Sequence, residues 1–278
     1  MRRRGTLLTA LSVCAVLVST AAPATAAVGP AERAAEASFA VSAGLPGGAI
    51  ATYPDRTRVD PYLSGFAAWG MADQAGRTRD RGLLASTWSY LRWYAGAQDA
   101  QGYVTDYSVS PDGTLASTGD MDSTDSYAAV FLLAAEAAYQ ATSRVEGSAS
   151  AKKRLKALAD GLDGALRAVE STVNADGLTW AKPGWRVTYL MDQAEVYAGL
   201  ASAGRLFAVL GDRSGGNRAR AVSAGVATGV EGLWDPARGS YDWARHEGGG
   251  SQPADLTVLY PDAMEQVWAV AFGLVPTS

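Results

Sequence analysis

Apolar positions along this chain form two kinds of helical stretch, and the two kinds alternate. Tyr62 to Ala72, Ser126 to Ala141, Val196 to Leu210 and Gln266 to Leu274 are apolar on most sides, with Glu136 the one charge in the second and Arg205 the one charge in the third. Arg79 to Ala97, Ala151 to Val169 and Arg218 to Gly232 carry a narrower apolar stripe, and Pro30 to Val41 is short, alanine-rich and mixed. A helix that is apolar all round is buried on every side, and one with a single stripe packs at a surface. The alternation therefore predicts two layers, in which inner helices form a ring or arc and outer helices cover it, each inner–outer pair being a hairpin. Ser143 to Ser150, Gly211 to Gly216 and Gly248-Gly249-Gly250 read as exposed connectors, and no boundary divides the chain into two domains.

What precedes each inner helix is also repeated. A glycine leads a short extended piece rich in Thr, Tyr and Trp, and an aspartate then opens the helix. The pieces are Gly48 to Tyr53, Gly102 to Tyr107, Gly177 to Ala181 and Gly239 to Trp243; the helix entries are Asp60-Pro61-Tyr62, Asp122 with Asp125, Asp192 with Glu195, and Asp262 with Glu265. The lead aspartates recur about every 60–70 residues, longer than the common solenoid periods. Glycine and a β-prone run before each helix predict short strands or hairpins, all gathered at one end of the bundle. Asp60, Asp122, Asp192 and Asp262 should then share that end.

The segments DSTDSYAA, GLTWAKP with YLMDQAEVYAGL, and LYPDAMEQVWAV resemble the inner-helix entries of the six-hairpin glycosidase superfamily. The resemblance covers most of the chain after residue 26. It implies an all-α (α/α) toroid and a secreted carbohydrate-active protein with a sugar-binding cleft at the loop face. Glycoside hydrolysis is the leading activity; glycan binding without catalysis on the same scaffold, or a polysaccharide lyase, are the alternatives. About eight helices, or four hairpins, stand where the family has six. Either the toroid is truncated, with two hairpins missing from these residues, or the arc is open; in both cases the helix beginning at Asp262 is expected to leave an apolar flank uncovered.

The N-terminus changes the picture of location. Arg2, Arg3 and Arg4 precede an apolar run from Leu7 to Val18, and Ala24-Thr25-Ala26 supplies a small-x-small cleavage site. This is the pattern of a secretory signal peptide over residues 1–26, and the run is shorter than the ~20 residues that span a bilayer. The toroid domain would then occupy 27–278, without a cysteine, since the lone Cys14 lies in the leader. Losing three arginines and no acid would move the formal charge from −4 to about −7. No basic patch remains for a phosphate backbone, so nucleic acid is not an expected partner; no stable membrane span is expected after cleavage, and the sequence gives no oligomeric state.

The acids are the candidate chemistry. Asp122, Asp125, Asp192 and Glu195 are expected as the catalytic carboxylates of the cleft floor, because glycoside hydrolysis takes one protonated and one ionised carboxyl across a sugar. Asp60, Asp106, Asp120, Asp262 and Glu265 are secondary candidates. The competing role is capping, since an acid at a helix start accepts backbone N–H groups and the i, i+3 spacing suits a capping box. Aromatic side chains in the same segments, Tyr107, Trp180, Trp185, Tyr189, Tyr241 and Trp243, are expected to stack on sugar faces. Trp69, Trp88, Trp93 and Trp268 lie within helices and read as core. No cofactor and no metal are expected: a single histidine, His246, and no cysteine after the leader leave too few ligands for zinc. Asp120 and Asp122 alone raise a weaker Ca²⁺ alternative.

Overall fold

The computed structural model describes residues 29–275; the expected signal peptide, with Cys14, lies outside them. The described residues hold nine α-helices: α1 (Pro30–Ser42), α2 (Pro61–Thr78), α3 (Arg81–Ala97), α4 (Asp125–Val145), α5 (Ser148–Lys156), α6 (Ala159–Glu170), α7 (Leu190–Leu210), α8 (Arg213–Val230) and α9 (Met264–Ala271). The inner layer runs α2, α4, α7, α9, each packed on the next. The helices α1, α3, α5 with α6, and α8 cover it. Almost every residue of α4 from Asp125 to Glu136 is buried, as its all-round apolarity requires. The outer helices α3 and α8 bury one stripe each.

Small residues set how closely the inner helices approach. A Cβ on Gly199 of α7 would stand 2.7 Å from the carbonyl oxygen of Ala129 on α4, so only glycine admits this crossing. Gly102 is tighter, with φ +91° and a Cβ position 2.0 Å from the carbonyl of Gly164 on α6, which pins the start of a loop against an outer helix. Trp88 is fully buried, whereas Trp69, Trp93 and Trp268 are half-buried against the same core.

Two boundaries differ from the sequence reading. The stretch expected as one helix over 151–169 is two, α5 and α6, broken at Ala157 and Leu158. The connectors expected at 143–150 and 211–216 are mostly helical; the chain turns within Glu146-Gly147 and Gly211-Asp212. Positive φ at Gly147 (95°) and Gly211 (81°) makes each turn in one or two residues.

Among the described residues, strands occur only as short pieces in the loops: β1 (Arg58–Val59), β2 (Tyr107–Val109), β3 (Leu115–Ser117), β4 (Val187–Tyr189), β5 (Trp234–Asp235), β6 (Ser240–Tyr241), β7 (Ala244–His246) and β8 (Ser251–Gln252). They form antiparallel sheets in the orders β1-β2-β3, β4-β7-β8 and β5-β6. The sheet β4-β7-β8 ties the loop before α7 to the loop before α9.

The ends of the arc, α2 and α9, meet through aromatic rings. Phe66 lies 6.4 Å from Trp268 and Trp69 lies 6.0 Å from Phe272, centroid to centroid. The other flank of α9 is uncovered, with Val267 60% and Val270 39% exposed. No helix among the described residues is long and apolar enough to cross a membrane.

Candidate active site

The N-termini of α2, α4, α7 and α9 converge, as the shared position of their acids predicts. Among these acids Asp60 alone is a conventional cap: its carboxylate accepts from the amides of Tyr62 and Leu63 at the start of α2. The other acids do something else. Glu265 of α9 accepts from the backbone N–H of Met191, at the start of α7, at 3.1 Å. Glu195 of α7 accepts from the Tyr62 hydroxyl of α2 at 2.6 Å and from the Trp268 indole of α9 at 2.8 Å. Asp125 of α4 accepts from Thr179, in the loop before α7, at 2.6 Å, and from Ser123 and the Ser126 amide. No capping box closes on α4, α7 or α9. The expected self-caps are instead cross-links, in which an acid of one inner helix holds a neighbouring helix or its loop.

These carboxyls are buried without a cation beside them. Burial pushes Asp125 up to about 6, Glu195 up to about 7 and Glu265 up to about 8. Asp192 is raised well above the usual carboxylate range, first by burial and then by the negative charges of Asp125, Glu195 and Glu265. Hydrogen bonds from Tyr62 and Trp268 oppose the rise at Glu195, and the Met191 and Leu190 amides oppose it at Glu265. The Ser126 hydroxyl stands beside Asp192 and Glu195 and favours the charged form of each. It meets the hydrogen-bond geometry of neither, and Glu195 Oε2 is buried without a hydrogen-bond partner.

Above this layer opens a cavity of about 550 Å³. Asp192 and Glu265 line its floor, with the exposed Asp122 also on its lining. Trp185, Tyr189, Trp243 and Tyr260 supply ring surface, and Tyr62 and Tyr127 complete the aromatic lining. Tyr189 stacks on Trp243 at 6.0 Å and 14°, and accepts from the Trp185 indole at 3.0 Å. The Tyr127 hydroxyl accepts from the Asp122 amide and donates to Asp106, which is paired with Arg58. Asp106 thus holds the loop that carries Asp122.

Of the sequence candidates, Asp122, Asp192, Glu265, Trp185, Tyr189 and Trp243 meet at this cavity. Asp125 and Glu195 lie beneath it, hydrogen-bonded into the helix junction, and are not on its lining. Asp262 accepts from the Asp255 amide and shapes the turn before α9, Asp60 caps α2, and Asp120 pairs with Lys182. Three aromatics are not brought to the cavity: Tyr107 packs edge-on against Trp93, Tyr241 against Trp234, and Trp180 carries the Arg186 guanidinium 4.7 Å from its centroid. Sequence reasoning misses Tyr62 and Tyr127, because each sits inside a helix where an aromatic at helical spacing reads as core. Their position in the first turn after the lead acid is the signal that could have found them. No group of three or more His, Cys, Asp or Glu among the described residues is placed to hold a metal ion.

No family model matches this chain, and no curated protein does. Solved structures do. A sugar epimerase from a ruminal bacterium matches with a TM-score of 0.54 at 12% identity, over 77% of this chain and 57% of its own. A GH63 mannosylglycerate hydrolase from Thermus thermophilus in complex with glucose matches with 0.59 at 13%, over 86% and 76%. An unsaturated glucuronyl hydrolase from Bacillus sp. GL1 matches with 0.59 at 13%, over 88% and 65%. The shared architecture is an all-α toroid of helical hairpins. At these identities the likeness is one of fold, and this chain spans between 57% and 76% of the length of the three structures.

Proposed function

We propose that this is a secreted carbohydrate-active enzyme that hydrolyses a glycosidic bond in the cavity at the loop face. The observation that carries the reading is the pairing of a buried carboxyl floor with a ring-lined wall in one cavity. Sugars present C–H faces to rings and polar edges to hydrogen-bonding groups, so such a wall holds a pyranose while the floor acts on its linkage. Relatives by fold that are hydrolases of sugar substrates agree with this choice.

The chemistry divides among three acids. Glu265, raised to about 8 by burial, keeps its proton at neutral pH and is the candidate general acid for the leaving oxygen. Asp122, at the exposed rim, stands where a carboxylate keeps its hydration and can activate a water. Asp192, also on the floor, is the candidate to face the developing positive charge of an oxocarbenium-like transition state. Asp125 and Glu195 are positioning residues: they hold α4, α7 and α9 in register, and the negative charge of Glu195 helps raise Asp192 above the usual carboxylate range. Loss of a proton from Asp192 as substrate binds would supply the ionised partner.

The test is the protein without residues 1–26, incubated with a panel of oligo- and polysaccharides and assayed for new reducing ends. New ends that disappear in Asp192→Asn and Glu265→Gln, with circular dichroism unchanged, support hydrolysis. Binding of a glycan without new ends would identify a glycan-binding protein on this scaffold. Recovery of the protein in the culture medium of a host expressing the full chain, cut after Ala26, tests secretion.

A further inference from the structure

The cavity also carries information about the charge of its ligand. Asp122, Asp192 and Glu265 line it, and among the described residues the one cationic side chain on its lining is Lys182. Lys182 is already engaged: its ammonium donates to the Met121 carbonyl and pairs with Asp120 at 3.2 Å. The other cations near this face are committed elsewhere. Arg58 is paired with Asp106, and Arg186 is paired with Glu247 while lying over Trp180. The floor therefore has carboxyls in excess and no guanidinium to receive an anionic sugar.

Resting on the reading of this cavity as a sugar site, we infer that it takes a sugar bearing a protonated amino group, a 2-amino-2-deoxyhexose unit without its acetyl, and rejects uronates. An ammonium set on the floor would lie against the exposed Asp122 carboxylate and against Asp192, which releases its proton to solvent as the cation enters, while Glu265 keeps its proton for the leaving oxygen. Opposite charges a few ångströms apart in a partly desolvated site attract far more strongly than in water. The rings of Tyr189, Trp243 and Tyr260 add cation–π attraction on the same side. A uronate would bring one more negative charge to a site with no unengaged cation. An N-acetylated sugar would keep the ring stacking and lose the charge.

Proton release should accompany binding. The titratable groups on or beneath the floor are Tyr62 from α2, Asp125 and Tyr127 from α4, Asp192 and Glu195 from α7, and Glu265 from α9, with Asp122, Lys182, Tyr189, Tyr260 and Asp262 on the segments before the helices. All but Lys182 are acids or neutral hydroxyls, so an entering cation lowers the proton affinity of Asp192, the carboxyl it approaches.

The experiment is calorimetric titration of the protein without residues 1–26 at about pH 6, where the sugar amine is protonated. The probes are glucosamine and galactosamine oligomers, each beside its N-acetylated form, and oligouronates of similar length. The expected result is affinity at least about tenfold higher for an amine oligomer than for its acetylated counterpart, no binding of uronates, weakening as salt rises, and protons released to buffer. Equal affinity for amine and N-acetyl forms, tighter binding of a uronate, or no binding of any amine oligomer would overturn the inference. Its fate separates from that of hydrolysis: tight amine binding without new reducing ends removes the hydrolase reading alone. Cleavage of neutral or uronic oligomers with no preference for the amine removes this inference alone.

Discussion

Two sets of acids in this molecule have the same side chains and opposite surroundings. At the loop face, Asp125, Asp192, Glu195 and Glu265 are buried with hydroxyls, an indole and backbone amides as partners, and all are held above the usual carboxylate range. Farther along the inner helices, Glu136 of α4 takes the Arg205 guanidinium of α7 through both oxygens, with Ser202 and Gln140 beside it. Burial pushes Glu136 up as well, but those partners outweigh it and the group ends below its ordinary value. The outer layer repeats the paired pattern, with Arg218 bridging Glu170 and Asp163. A cation beside a buried acid makes it a fastener. Leaving the cation out makes it a group that can hold a proton near neutral pH, at a cost in stability. The difference between the two sets, more than acidity itself, marks the site.

The largest effect that would sharpen this contrast is on turnover. Asp192→Asn and Glu265→Gln are expected to reduce hydrolysis by about 10²–10⁴-fold with the helical spectrum unchanged, whereas Glu136→Gln should leave kcat within about twofold. Loss of activity in Glu136→Gln at unchanged folding would break the division.

Stability against pH comes next, and the two sets should respond with opposite sign. The raised acids of the loop face bind more protons folded than unfolded between about pH 4, the usual carboxylate range, and their folded values of about 6–8. Their contribution is complete at low pH and is lost as pH rises through that window, by up to about 1.4 kcal/mol per unit and group. Glu136, held low, contributes above the usual range and loses its contribution as pH falls. Thermal melts from about pH 2 to 9 should therefore show a decline toward alkaline pH that is shallower in Glu265→Gln, and an acid-side decline, below the usual carboxylate range, that is shallower in Glu136→Gln. An alkaline limb of equal slope in Glu265→Gln and wild type would remove the case for that group.

A smaller effect separates positioning from reacting acids. Asp125→Asn disturbs bonds from Ser123, Thr179 and the Ser126 amide, and should cost about 1–3 kcal/mol by denaturant titration. Tyr62→Phe removes one of two donors to Glu195 and should cost about 1 kcal/mol. Retention of full stability by both would mean that the cross-helix bonds do not hold the junction.

The smallest effect concerns the walls. Trp185→Ala is expected to raise KM several-fold with kcat little changed, while Trp180→Ala, away from the cavity, should alter neither. The reverse result would move the sugar to the Trp180 side of the loop face.

The periodicity of apolar residues was sufficient for the two-layer architecture, because burial on all sides or on one stripe is written directly into a helix's own residues. The repeat of an acid before each inner helix likewise located the end where the acids gather, since residues at equivalent helix starts must lie together. What these acids do was not legible. A carboxyl at i+3 reads as a partner for its own helix, yet Glu265 reaches the start of α7 and Glu195 reaches α2 and α9. Sequence spacing reports neighbours on one helix and is silent about those across a junction. For the same reason Trp180 and Trp185, five residues apart in one aromatic loop, could not be told apart until the turn Lys182–Trp185 sent one to the cavity and the other beneath Arg186. The helices follow from local pattern; the charge state of the site follows from which side chains lack a cation, and only the packing of four helix ends decides that.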